Sequence, residues 1–170
     1  MPAGLDANAG GAGPGGGMGG AMAGDVPPPA APTGDQALAW TLPSGWTERR
    51  GGGGMRLATL VPPNAGVDVS VIVLPGPAGG ELANVNRWRN QIGLPPLDDA
   101  ALAAARKTTG SPAGPIAVFD FTSEDASKKR VVGGIAEAAG NSWFFKLSGD
   151  AAAVEAAKPD FLRLLGSVRR

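Results

Sequence analysis

The chain contains no cysteine, no histidine and no tyrosine. Without cysteine it forms no disulfide, offers no thiolate nucleophile and builds no thiolate-bound zinc site, while its redox compartment stays open. Without histidine it lacks the commonest general base and the commonest transition-metal ligand. Ser-His-Asp and Cys-His catalysis are therefore excluded within this chain. An oxygen-only metal site would have to use Asp98-Asp99 or Glu124-Asp125, and neither pair has the alternating spacing of a calcium loop. Asp98 and Asp99 are better explained as charges that favour a helix N-terminus. No glycine-flanked Lys-Ser/Thr makes a phosphate loop. The expectation is no metal and no cofactor.

An excess of charge of one sign is lacking too. Fifteen basic residues face fifteen acidic ones, and the longest run of one sign is Lys128-Lys129-Arg130. A phosphate backbone normally demands a basic face, so a nucleic-acid partner is disfavoured. No stretch approaches the roughly 20 apolar residues of a membrane span, and no transmembrane segment is expected. The first residues show no basic patch followed by an apolar run, so no signal peptide is read in them.

What the chain has in plenty is glycine, with 28 copies, and proline, with 16. Both concentrate at the start. Residues 1–35 are low complexity, from Gly10-Gly11-Ala12-Gly13-Pro14 to Val26-Pro27-Pro28-Pro29. Ordering glycine is entropically expensive and nothing here can be buried in return, so the segment reads as a disordered tether that stiffens toward its proline-rich end. Gly11-x-Gly13-x-x-Gly16 matches a dinucleotide fingerprint by letter only, since no strand precedes it and no helix follows. Residues 36–170 read as a single domain. At about 135 residues it can bury roughly two-thirds of its unfolded surface without staples.

Within that domain Trp40 and Trp46 bracket a Pro-Ser-Gly turn in an extended opening segment pinned to the core. Residues 55–61 and 67–74 read as a hairpin, the second strand alternating Val67, Val69, Val71 and Val73 against Asp68, Ser70, Ile72 and Leu74. Leu82, Val85, Trp88 and Ile92 recur at helical spacing over 81–92, with Gly93 placed as a C-terminal cap. Asp98 caps a second, alanine-rich helix that runs to about residue 106. Strands follow at 116–122, 130–138 and 142–148, the last with Trp143, Phe145 and Leu147 on one face. Asp150 is expected to cap a closing helix in which Pro159 should cause a bend or a restart. The order β-β-α-α-β-β-β-α with tight turns predicts an α+β domain, a mainly antiparallel sheet packed by helices. Trp88, Trp143, Phe119 and Phe145 are expected to share one core.

Trp40-x-x-Pro43-x-Gly45-Trp46, the run from Asn84 to Pro95 and the run from Ser142 to Asp150 together resemble a family of uncharacterised, lipoprotein-like envelope proteins of planctomycete and verrucomicrobial bacteria. The resemblance spans about residues 38–168, and the Asn-Arg-Trp helix is its most specific part. More remotely, the element order is similar to PsbP-like α/β/α sandwiches, the fold of the photosystem II extrinsic subunit. The family implies a lipidated cysteine and a Pro/Ala/Gly-rich tether ahead of the domain; this chain has the tether and no cysteine. It implies a bacterial cell envelope or periplasm as location, with the cytoplasm as the alternative. It carries no activity across, and PsbP-like domains in general serve as binding or assembly modules.

Two groups of residues are candidates for a site. On the helix around Trp88, the apolar stripe leaves Asn84, Arg87 and Gln91 on one flank and Asn86, Arg89 and Asn90 on another. They are either solvated neighbours of a core tryptophan or a polar recognition surface, since Arg and Asn present paired donors to carboxylates and peptide groups. On the sheet, Asp68, Ser70, Asp120 and Lys146 alternate away from apolar faces and could converge as an ion pair or as a Lys/Asp acid-base pair. The leading functional reading is a non-enzymatic binding or assembly module, monomeric, whose partner is another protein or an envelope component. The alternative is a small metal-independent hydrolase or isomerase using Asp and Lys on the sheet face. Amide hydrogens of residues 1–35 are expected to exchange without protection; slow exchange across the glycine tract would refute the tether.

Overall fold

The computed structural model describes residues 37–51 and 55–170, and the tether assigned to residues 1–35 lies outside the described residues. The elements are β1 (Thr47–Arg50), β2 (Arg56–Val61), β3 (Val67–Pro75), α1 (Gly80–Gln91), α2 (Asp99–Ala105), β4 (Lys107–Thr109), β5 (Ile116–Thr122), β6 (Lys129–Ala138), β7 (Asn141–Asp150) and α3 (Ala151–Gly166). The strands form one sheet in the order β1-β2-β3-β7-β6-β5-β4, every neighbouring pair antiparallel. The α+β class and the mainly antiparallel sheet are as the sequence predicts. Two short edge strands, β1 and β4, are additions. At four and three residues they are too short for alternation to show.

Residues directly opposite across a sheet share a face. The register pairs Val69 with Leu147, Val71 with Phe145 and Val73 with Trp143, so the valine face of β3 continues into the aromatic face of β7. α3 closes this face with Val154, Ala157, Phe161, Leu164 and Leu165, and the opening segment adds Leu38, Trp40 and Trp46. The other face joins Phe144, Ile135, Val131, Phe119 and Phe121 under Val85 and Trp88 of α1. The single core expected of the four aromatics is thus corrected to two. Trp143 and Phe145 lie on the α3 side, Trp88 and Phe119 on the α1 side. The sheet is clothed by helices on both faces, an α/β/α sandwich.

Two consecutive glycines in β6 make that possible. A Cβ on Gly133 would lie 2.1 Å from Trp88 Cζ3, and one on Gly134 would lie 3.0 Å from Leu165 Cδ1. The first glycine therefore seats α1 and the second seats α3, on opposite faces of one strand. Trp88 also meets Phe144 edge-on at 6.3 Å between ring centroids, a favoured aromatic geometry.

Pro159 lies inside α3, and the helix runs through it without a restart. Proline removes one backbone hydrogen bond, but Ala157, Phe161, Leu164 and Leu165 are buried on both sides of it, and that burial holds the helix in phase. Asp98 caps α2 as expected, accepting from the Ala101 N–H at 2.8 Å. Asp150 precedes α3 without capping it through its side chain; its carboxylate instead accepts from Lys129 Nζ at 2.5 Å.

Gly133→Ala is expected to destabilise the fold by at least about 2 kcal/mol, because neither the strand nor the indole can yield the missing space. Gly110→Ala, where an added Cβ meets nothing within 4 Å, should stay within about 0.5 kcal/mol. Urea unfolding of both variants checks the pair.

Candidate functional site

One row of residues crosses six of the seven strands on the α1 side. Register pairs Arg49 with Thr59, Thr59 with Ser70, Ser70 with Lys146, Lys146 with Gly133 and Gly133 with Phe119. The row changes character at Gly133. From Gly133 onward it is apolar and lies beneath Trp88. Before Gly133 it is polar: Ser70 is buried, Lys146 and Thr59 are half-buried, and Arg49 is exposed. This face therefore has a covered apolar half and an open polar half, with Gln91 and Arg87 of α1 along the border.

A bulge in β2 adds a further cation. The register slips between Arg56 and Ala58, so Arg56 lies opposite Ile72 while Ala58 lies opposite Val71 on the other face. Bulges commonly re-aim a side chain in this way. Arg56 grips Asp68 with two parallel bonds, Nη1 to Oδ1 at 2.9 Å and Nη2 to Oδ2 at 3.0 Å, and Nη1 also donates to Thr59 Oγ1 at 3.2 Å. That grip lowers the Asp68 carboxyl pKa against a smaller opposing effect of burial. Lys146 Nζ donates to Gln91 Oε1 at 3.0 Å. Its pKa lies below the ordinary lysine value, chiefly because burial strips water from the ammonium; Asp68 opposes this, and the positive charges of Arg56 and Arg87 reinforce it. Asp68 thus lies near two cations, Arg56, which already meets its charge, and Lys146, while Arg87 lies near Lys146 and Arg49 stands farther along the row.

The other predicted site residues divide between scaffold and surface. Asn84 is buried, and its amide donates to the carbonyls of Ala78 at 3.0 Å and Gly80 at 2.7 Å. It is not part of an exposed flank, because the turn before α1 has positive φ at Ala78, Gly79 and Gly80 and needs those bonds to hold it. Arg89 donates to the Pro95 carbonyl at 2.8 Å and lies 4.7 Å from the Phe121 ring centroid, which makes it a brace for the loop after α1. Asn86 both donates to and accepts from the backbone of Leu97. Arg87 and Gln91 remain exposed.

The convergence of Asp68, Asp120 and Lys146 is corrected. Asp120 pairs with Val132, and Val132 with Leu147, so Asp120 belongs to the α3 face while Asp68 and Lys146 belong to the α1 face. Strand alternation sorts residues within one strand, but only register sorts them between strands, and one step separates Leu147 from Lys146. Asp120 accepts from Arg130 Nε at 2.8 Å and Nη2 at 2.7 Å, and from Lys158 Nζ at 2.7 Å. Burial raises its pKa, and the bonds from Arg130 and Lys158 together outweigh that and lower it. Arg49, Arg56 and Thr59 were missed as site residues. Their strands carry no sign in the sequence of the bulge or of the short edge pairing that brings them to this face.

The open half suits binding better than proton transfer. Asp68 is held as a carboxylate, and among the described residues no group of three or more acidic residues is placed to hold a metal ion. Its spare donors are cationic, which suits an anionic group.

No protein-family model matches the chain, and no curated protein is matched by it. Solved structures similar to it include the cyanobacterial PsbP protein of Synechocystis, at 14% identity and a TM-score of 0.48 over 82% of this chain and 96% of that one. A Bacteroides thetaiotaomicron protein has a TM-score of 0.47 at 9% identity over 78% of this chain, which spans 44% of that protein's length. LpqN of Mycobacterium tuberculosis, described as involved in cell envelope biogenesis, has a TM-score of 0.45 at 10% identity over 78% of this chain and 82% of that one.

The lowered carboxyls give a pH signature. A carboxyl whose folded pKa lies below its unfolded value contributes stability that is complete above roughly pH 4 and fades as pH falls through the folded value. Asp120→Asn should therefore be less stable than the parent near neutrality, and the gap should close in acid. Urea midpoints measured from about pH 6 to about pH 2.5 check this; a gap that does not change with pH would contradict it.

Proposed function

We propose that the domain is a non-enzymatic binding module whose open polar half-sheet receives a carboxylate-bearing surface of a partner in a bacterial cell envelope. The observation that carries this reading is Lys146, partly desolvated and placed in the row Arg49-Thr59-Ser70-Lys146 on the uncovered half of a sheet otherwise clothed on both faces. A lysine held against desolvation costs stability relative to an apolar residue at the same position. A site with that cost and, among the described residues, no salt bridge of its own fits retention for recognition. Arg87, at the border of α1, adds charge of the same sign, while the charge of Arg56 is met by Asp68. The glycine- and proline-rich composition of residues 1–35 supports a tether that holds the domain near an anchor and raises its local concentration there. The resemblance to lipoprotein-like envelope proteins supports the location.

The enzymatic alternative required Asp120 and Lys146 in one pocket. They lie on opposite faces of the sheet, and the remaining carboxylate beside Lys146 is clamped by Arg56.

A photo-crosslinking residue at Thr47, exposed on the open face, should capture a discrete partner in cells, whereas one at Arg163 on α3 should not. Lys146→Met should abolish that capture while leaving the melting temperature unchanged or higher, because it removes a desolvated charge. Equal capture from both positions, or capture indifferent to Lys146, would place the binding surface elsewhere.

A further inference from the structure

The second charged centre, on the opposite face, has a shape of its own. β4 pairs Lys107 with Val118 and Thr109 with Ile116, and α2 ends two residues before β4 begins. β5 therefore runs on past Val118 to Thr122 with no strand beside it on that edge among the described residues. The step this leaves, on the α3 side of the sheet, is a hollow of about 390 Å³. Ala105, Val118 and Leu162 give it an apolar lining, and Lys107, Lys158 and Asp120 give it charge. Its volume lies within the range of small-ligand sites, which combine apolar walls with a few convergent polar groups.

The charges leave a surplus of donors. Arg130 meets both oxygens of Asp120 and also pairs with Glu155. Lys158 bonds to an Asp120 oxygen that Arg130 already holds. An ammonium carries three donors, and the Asp120 bond engages one. Lys107 shares the face of Val118 by register, is exposed, and makes no ion pair among the described residues. Two lysines with unused donors thus flank a hollow of mixed lining, in which Thr108 and Thr109 stand beside the apolar residues, and Arg130 meets both oxygens of Asp120.

We propose that this hollow binds a small amphiphilic monoanion, a carboxylate on a short apolar body, with the carboxylate between Lys107 and Lys158 and the body against Val118 and Leu162. The site is independent of the open half-sheet, since it lies on the other face. Octanoate serves as the probe, with acetate as the charge without the body and 1-octanol as the body without the charge. Titrated into methyl-labelled protein and followed by NMR, octanoate should shift the methyls of Val118 and Leu162 saturably, and each control should bind at least about ten-fold more weakly. Lys107→Gln, at an exposed side chain with no ion pair among the described residues, should weaken octanoate several-fold at unchanged melting temperature, and Lys158→Gln should weaken it too, with a somewhat lower melting temperature because the bond to Asp120 is lost. The proposal is overturned if the shifts fail to saturate, if they centre on Ile72 and Leu74 of the opposite face, if octanol binds as well as octanoate, or if both lysine variants bind octanoate unchanged.

Discussion

Everything in this domain is arranged around the absence of side chains at two adjacent positions. Gly133 and Gly134 point to opposite faces of β6, and each admits a helix side chain to the backbone, Trp88 on one side and Leu165 on the other. Any Cβ at Gly133 would overlap the indole. Sheets and helices usually pack about 10 Å apart because side chains intervene on both surfaces. Here one layer of side chains is removed on each face, so a large aromatic can fill the space that remains. The price in β propensity of two mid-strand glycines is offset by the burial of Trp88, Phe119 and Phe144 around the first and of Leu165 and Ile116 around the second.

The same seat explains why one face is only half covered. Trp88 fixes α1 over β6, and the apolar residues there continue toward β5 as Phe119 and Phe121. On the other side of the seat the row continues as Lys146, Ser70, Thr59 and Arg49. The α3 face has no such division, because Ala58, Leu60, Val69 and Val71 carry its apolar surface out through β2. The asymmetry is already present in the composition of the strands. β3 alternates buried valines with polar Asp68 and Ser70, the first exposed and the second buried, so the strand has one apolar face and one face of mixed polarity.

That alternation was legible in the sequence, and so were the α+β class, the helix around Trp88, the Asp98 cap and five of the strands. Each of these depends on local periodicity or on a single turn residue. Less legible was anything set by pairing between distant strands. Asp120 and Lys146 both stand opposite aromatic residues in their own strands, yet they lie on different faces because Leu147, not Lys146, falls in the row of Asp120 through Val132. The bulge that turns Arg56 onto the site is a slip of a single residue in a run that reads as an uninterrupted strand. Asn84 looked like a surface residue of a polar helix because the strained turn it supports, with positive φ at a non-glycine, leaves no mark in residue spacing.

The neighbourhood of Lys146 and Gly133 also bears on how the open face would act. They are paired across β6 and β7, and Gln91, the last residue of α1, is the hydrogen-bond partner of the lysine. A group arriving at Lys146 would compete with one side-chain amide rather than with a salt bridge, so little needs to be broken. α1 cannot lift without exposing Trp88 and Val85, which are buried against the sheet. Asp68 and Arg56 are likewise held by two parallel bonds, an arrangement with defined geometry. Lys146, held by Gln91 at the end of a seated helix, would present its remaining donors with little reordering. Preorganisation of this kind lets a surface of modest area bind usefully, because less conformational freedom is lost when the partner arrives.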